Sequence, residues 1–355
     1  MRIVRLANFV TPSSGGLRTA LRELGRGYLA AGHEPILIVP GEHASDERTG
    51  QGTVITVPGP KIKIIGGYRI MLRRNTIRAL LERLRPDSLE VSDRTTLRWT
   101  GAWARRHRVP SIMVSHESLE GLLRVAHLPS PRGLARALNR ASAASYDRIL
   151  CTTSWAAREF HAFGAPNVVE VPLGVDLDQF HPRHRTEHPV ITLVCATRLS
   201  VEKRPQRALN TIASLAAQGF SARLIVAGDG PLRSWLQRQA AGLPVEFTGF
   251  LHDRLELARL LASADVVLAP GPIETFGLAA LEALACGTPV IASESSALPD
   301  VIGDAGLAAP GEDFSAQVRQ VLTDGDRRAK ARARAEQFGW DAAVKGFLAV
   351  HEGLR

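Results

Sequence analysis

The chain is poor in cysteine, in aromatic residues and in long apolar runs, and each shortage closes off a class of protein. Its three cysteines, Cys151, Cys195 and Cys286, lie too far apart for a disulfide framework or for paired zinc-ligand spacing. They read as buried thiols in a reducing compartment, so the expected location is the cytoplasm. No run approaches the roughly 18 apolar residues needed to cross a bilayer. The opening MRIVRLANFVTPSSGG reads as a strand entering a turn, not as a secretory leader. Aromatics make up 5% of the chain, too few for an aromatic-basic nucleic-acid surface, and no nucleic-acid motif is present. No G-x-G-x-x-G follows a strand. Gly228-Asp229-Gly230 comes nearest but continues Pro231-Leu232-Arg233, which counts against a nicotinamide or flavin dehydrogenase. No repeat of solenoid length occurs.

What is present fits a two-domain enzyme. A chain of 355 residues is too long for one ordinary core. Apolar residues are 45% and charged residues 22%, a globular balance. The net charge of +9 is uneven: residues 1–175 hold 25 basic against 14 acidic residues, residues 176–355 hold 19 against 21. The basic half therefore meets a different partner, an anionic membrane surface, an anionic acceptor or nucleic acid, unless its charge is merely solubilising.

Apolar runs of strand length alternate with helical periodicity throughout. Expected strands include Arg2–Asn8, Pro35–Val39, Ser88–Ser92, Ser111–Ser115 and Arg148–Thr152 in the first half. Val190–Ala196, Ala222–Ala227, Val245–Thr248, Val266–Ala269 and Pro289–Ala292 follow in the second. Expected helices between them include Gly16–Ala31, Thr76–Arg85, Thr96–His107, Pro205–Gln218, Leu232–Ala241, Arg254–Ser263 and Phe276–Ala285. The pattern restarts near residue 190, after a proline-rich polar stretch at Pro172–Pro189. The expected fold is α/β: two doubly wound, Rossmann-like domains, 1–175 and 176–337, with a C-terminal helix at 338–355. Ligands in such sheets bind at the carboxyl ends of strands, so a cleft between two facing sheets is expected.

Four features follow strand ends. Thr11–Gly16, TPSSGG, joins the first strand to the first helix; it is either a plain turn or a place where backbone approaches a ligand. Arg198 and Lys203 lie five residues apart in a strand-to-helix loop, as a fork and a point charge suited to a diphosphate. Glu274 precedes an apolar helix, and Glu282 lies eight residues on. On a continuous helix they would stand about 80° and about 12 Å apart, enough to flank one ligand with the amides of Thr275, Phe276 and Gly277 between them. That is too wide for one metal, and a solvent-facing Glu282 is the alternative. His116 follows the strand Ser111–Val114 and would face a ligand.

Together these residues resemble glycosyltransferase family 4, the retaining transferases of the GT-B fold, and the resemblance covers nearly the whole chain. Glu274 to Glu282 matches the family's E-x7-E motif and continues ACGTPVIAS. Val171–Phe180, VPLGVDLDQF, looks like its linker signature, Arg198 and Lys203 like its R-L-x-x-E-K pair, and Ala227–Leu232, AGDGPL, like its turn near the nucleoside. The resemblance implies that Arg198 and Lys203 bind the donor diphosphate, Glu282 the ribose and Glu274 the transferred sugar. It further implies that Thr275, Phe276, Gly277 and Leu278 touch the donor, that Gly15, Gly16 and Gly228 approach it, and that Phe247–Leu251, with Phe250, lines the base pocket. His116 would contact the sugar at the reacting face. No cofactor and no metal is expected, the nucleotide sugar being a substrate.

Ser293–Gly306, SESSALPDVIGDAG, resembles stretches of mannosyltransferases that use GDP-mannose, which makes that donor the expectation, with UDP-glucose next. The overall composition resembles actinobacterial proteins. The acceptor is expected to be a lipid or glycan hydroxyl. Lys61–Arg74 mixes apolar and basic residues and is either a membrane-facing segment or an ordinary strand, loop and helix. Asp93 and Arg94 are candidate acceptor contacts. A nucleotide-sugar 2-epimerase of the same fold is the competing enzyme class.

Overall fold

The computed structural model describes residues 1–10, 15–62, 68–125 and 129–355. Thr11 to Ser14 of the first turn, and the middle of the Lys61–Arg74 segment, lie outside the described residues. The chain divides into two units, one of Met1–Pro172 with Trp340–Arg355, the other of Leu173–Gly339.

The first unit is built on strands β1 (Arg2–Ala7), β2 (Glu34–Gly41), β3 (Ser45–Thr49), β4 (Gly52–Pro58), β5 (Lys61–Ile62), β6 (Tyr68–Arg69), β7 (Ser88–Ser92), β8 (Ser111–Ser115), β9 (Arg148–Cys151) and β10 (Val168–Glu170). Its main sheet runs β10-β9-β8-β7-β1-β2-β4-β3, parallel except for the β3–β4 edge pair, while β5 and β6 form a separate antiparallel pair. Helices α1 (Gly16–Ala30), α2 (Arg74–Leu84), α3 (Trp99–His107), α4 (Leu119–Val125), α5 (Pro131–Ala143) and α6 (Ser154–His161) connect the strands. In α1, Ala20, Leu21, Leu24, Gly25 and Tyr28 are buried, a spacing of three to four that gives the helix its single apolar stripe. The C-terminal helix Trp340–Glu352 belongs to this unit.

The second unit has six parallel strands, β11 (Ile191–Ala196), β12 (Ala222–Ala227), β13 (Val245–Gly249), β14 (Val266–Ala269), β15 (Val290–Ser293) and β16 (Gly306–Ala309), in the order β13-β12-β11-β14-β15-β16. Counted from its first strand this is 3-2-1-4-5-6, the doubly wound dinucleotide-fold order. Helices α7 (Gln206–Ala217), α8 (Arg233–Gln239), α9 (Arg254–Ser263), α10 (Leu278–Ala285), α11 (Leu298–Ile302), α12 (Ser315–Thr323) and α13 (Arg327–Ala335) complete it. Strands β7, β8 and β15 are buried along their length, as parallel strands covered on both faces must be. All three thiols are buried, and burial pushes each up to about 12, so they are inert core groups.

Several expected boundaries move, for local reasons. The α3 helix begins at Trp99, not Thr96, because the Asp93 carboxylate binds the amides of Thr95 and Leu97 and holds a turn there. The α10 helix begins at Leu278, not Phe276, because Gly277 sits at φ +79°.

Candidate functional site

In the second unit β11 and β14 lie side by side while their connections leave in opposite directions. This is the switch point where such sheets bind ligands. Two loops meet there. After β11 the chain passes Arg198, which is half-buried, and enters a 3₁₀ turn at Val201–Lys203. After β14 it runs from Pro270 to Gly277 and carries Glu274. Lys203 Nζ donates to Glu274 Oε1, so the cation and the carboxylate are joined across the switch point, both half-buried.

The first loop is stitched to its neighbours. The Thr197 and Leu199 amides donate to the Ala227 and Asp229 carbonyls at 3.0 Å each, and the Gly228 amide to Gly249 O at 2.7 Å. Gly228 has φ +152°, and a Cβ there would lie 1.9 Å from Thr197 O. Only glycine lets the β11 and β12 ends approach this closely. Phe250 follows β13 and is half-buried, its ring edge-on to His252 at 4.8 Å.

The second loop is fixed from beneath by Arg207 in the first turn of α7. Its Nη1 donates to Pro270 O at 3.0 Å and to Ser293 Oγ at 2.9 Å, while Nε and Nη2 reach Glu312 Oε1 at 3.0 and 2.8 Å. One buried guanidinium thus ties the segments that follow β14 and β16 to the end of β15. Glu274 O accepts from the Ala297 amide at 2.8 Å. Thr275, Phe276 and Leu278 are buried, and a Cβ on Gly277 would meet Leu298 Cδ2 at 2.3 Å.

This geometry corrects the helical estimate for the glutamate pair. Glu274 stands on a loop before a left-handed glycine, so no continuous helix relates it to Glu282. Nor does Glu282 face solvent: it is 6% exposed and bound by Arg254 Nη2 at 2.9 Å.

The first unit has its own switch point, between β1 and β7. Asn8 there donates to Asp93 Oδ2 at 2.8 Å and to Thr96 Oγ1 at 2.7 Å, and accepts from the Met71 amide at 2.9 Å. Asp93 is buried and spends its oxygens on Asn8, Thr95, Thr96 and Leu97. Arg94 is buried too. It donates to Ser115 Oγ and Glu117 O, to Asn139 Oδ1 at 3.0 Å and to Glu159 Oε2 at 3.4 Å, and stands over the Phe160 ring. Asp93 and Arg94, the candidate acceptor contacts, both brace the strand-end loops from within. Arg94 and Glu159 in particular hold the segment that carries His116.

His116 follows β8, half-buried, with Nε2 3.1 Å from Ser92 Oγ. Burial first, then Arg5 and Arg94, lower its pKa to about 4 against an opposing pull from Glu90, so the ring is neutral at pH 7. Gly15 precedes α1 and Gly16 is its first residue; Gly15 O accepts from the Thr19 amide at 3.1 Å. Among the described residues no group of three or more His, Cys, Asp or Glu side chains is arranged to hold a metal ion.

The residues missed by sequence reasoning are Arg207, Arg254, Glu312, Asn8 and Glu159. Arg207 and Arg254 each carried one signal, a cation in a helix's first turn, where the macrodipole disfavours it. The others pair with residues far away in sequence and leave no local mark.

Two family models match the chain, glycosyl transferases group 1 over residues 190–324 and glycosyltransferase family 4 over residues 14–179. The GDP-mannose-dependent alpha-(1-6)-phosphatidylinositol dimannoside mannosyltransferase of Mycobacterium tuberculosis is 49% identical over 99% of this chain and 96% of its own length. A sulfoquinovosyl transferase of Arabidopsis thaliana is 28% identical over 96% of this chain and 72% of its own. Among solved structures, a sucrose-phosphate synthase from Thermosynechococcus elongatus aligns with a TM-score of 0.81 over 99% of this chain and 98% of its own, at 19% identity. Fold and strand-end loops together define a GT-B glycosyltransferase. Within that class the chain belongs to glycosyltransferase family 4, and it is a hexosyltransferase.

Proposed function

We propose that the enzyme moves mannose from GDP-mannose to a hydroxyl of a mannosylated phosphatidylinositol lipid. The 49% identity to the mycobacterial mannosyltransferase, over nearly both full lengths, carries this reading. In it, Arg198 and Lys203 bind the diphosphate, Glu274 holds the mannose hydroxyls and Glu282 the ribose. The backbone from Thr275 to Leu278 borders the sugar, and Gly228 and Phe250 lie toward the nucleoside. His116 offers a neutral ring to a sugar hydroxyl, and Gly15 and Gly16 offer backbone to a phosphate.

Lys203 and Glu274 support these roles by their pairing. A phosphate drawn to Lys203 arrives beside the carboxylate that would take the sugar hydroxyls. The chemistry needs cations where charge develops: the bond from mannose C1 to the diphosphate breaks and negative charge grows on the leaving oxygen. The acceptor oxygen bonds to C1 on the same face, and its proton passes to the leaving diphosphate. Configuration is retained, no metal is required, and the enzyme works at the membrane that holds its lipid.

A thermal-shift panel of GDP, UDP and ADP with their mannose and glucose derivatives, followed by transfer to a phosphatidylinositol mannoside, tests the reading. GDP and GDP-mannose are expected to stabilise most. Glu274→Ala is expected to abolish transfer with the fold intact by circular dichroism; near-normal turnover would remove Glu274 from the site. Epimer formation from donor alone would replace the transferase reading.

A further inference from the structure

Glu282 lies in a helix in which Leu278, Ala280, Leu281, Ala283, Leu284 and Ala285 are all buried. A carboxylate in such surroundings needs a partner of opposite charge. Arg254 supplies it, with Nη2 2.9 Å from Glu282 Oε1. The guanidinium is itself held on two further sides. Nε donates to Gln179 Oε1 at 3.1 Å, and its plane stands over the Phe180 ring, 4.9 Å from the centroid. Two bonds and a stacked face set the orientation of a planar fork, which a lysine would not do.

Arg254 is also the first residue of α9, capped by Asp253, whose side chain accepts from the Leu255 amide at 2.8 Å. A cation at that end opposes the helix macrodipole. The helix gains nothing from Arg254; its place is explained by Glu282.

We infer that Arg254 is a positioning residue that orients the Glu282 carboxylate toward the hydroxyls of the donor's ribose, and that Gln179 and Phe180 hold Arg254 in that pose. The inference rests on the assignment of Glu282 to the ribose given above. It adds a specificity element to the site: the segment before the second unit's first strand sets how strictly the enzyme demands ribose hydroxyls.

The test compares GDP with 2′,3′-dideoxy-GDP by calorimetric titration of the full chain, with mannose transfer from GDP-mannose measured alongside. The wild type is expected to prefer GDP by about tenfold or more, as befits hydrogen bonds to a charged group. Arg254→Ala is expected to bring that ratio to within about threefold, chiefly by weakening GDP. Arg254→Lys keeps the charge without the fork and is expected to recover only part of the preference, and Gln179→Ala to narrow it less. If Arg254→Ala does not fold, Arg254→Lys and Gln179→Ala carry the test, and both must narrow the ratio. Equal weakening of both ligands, with the ratio kept, would make Arg254 merely structural and overturn the proposal. A wild type that transfers mannose yet binds both nucleotides alike overturns it while leaving the function standing. A wild type that binds neither overturns both.

Discussion

At the scale of single residues, charge and burial decide more than residue type. His116 follows a strand at a sheet's carboxyl edge, as the sequence suggests, and burial lowers its pKa to about 4. The same shift has a consequence for stability. Because the folded-state pKa lies below the ordinary 6.5, the unfolded chain binds the proton more readily. Stability from this group is therefore full above about pH 6.5 and lost as pH falls toward 4. The loss is bounded by about 3 kcal/mol. His33 and His181 are also lowered by burial and add to the trend. Only the difference between wild type and His116→Asn isolates this ring. Urea midpoints taken from pH 7 to pH 4 are expected to fall more steeply for the wild type. Parallel curves would show that His116 is not held neutral by the fold.

At the scale of elements, what could be read in advance was whatever repeats with a short period. The strands Ser88–Ser92, Ser111–Ser115, Ala222–Ala227 and Val266–Ala269 stand where alternation of apolar and helical stretches puts them, residue for residue. Helix starts slipped where a single side chain or glycine overrides propensity, as at Asp93 and Gly277. The candidate donor residues were legible because Arg198, Lys203, Glu274 and Glu282 sit within recognisable motifs. Their supports were not, since Arg207 to Glu312 spans 105 residues and Arg254 to Gln179 spans 75. Gly277 gives the sharpest element-scale prediction. Its φ of +79° costs an alanine about 1 kcal/mol or more, and the new methyl would meet Leu298 Cδ2 at 2.3 Å. Gly277→Ala is expected to destabilise by about 2 kcal/mol or more and to lower transfer further by moving the Glu274 loop. Gly325→Ala, where nothing lies within 4 Å of the added carbon, serves as control. Equal stability of the two variants would refute the argument.

At the scale of the whole molecule, the chain ends by returning to the unit in which it began, and a buried polar cluster fixes that return. Arg5 Nε donates to Glu90 Oε1 at 2.8 Å, Tyr28 donates to Glu90 Oε2 at 2.8 Å, and His351 of the C-terminal helix places Nε2 3.2 Å from the same oxygen and Nδ1 2.7 Å from Ser88 Oγ. All five side chains are buried. Burial alone would raise the Glu90 pKa, but Arg5 and His351 outweigh it and hold the carboxyl well below the usual range. Such a cluster is a poor source of net stability compared with apolar packing, yet removing one member strands the others. Glu90→Ala leaves the Arg5 guanidinium buried without its carboxylate, and takes from His351 and Tyr28 the oxygen they share. The expected loss is about 3–5 kcal/mol in denaturant unfolding. The C-terminal helix is expected to become the first segment cut in limited proteolysis, with cleavage at or just after Trp340. Glu90→Gln keeps the shape and one acceptor, so it should lose less. If Glu90→Ala unfolds at the wild-type midpoint and its C-terminal helix stays resistant, the apolar contacts of Ala343, Val344, Phe347 and Leu348 hold the helix without the polar cluster.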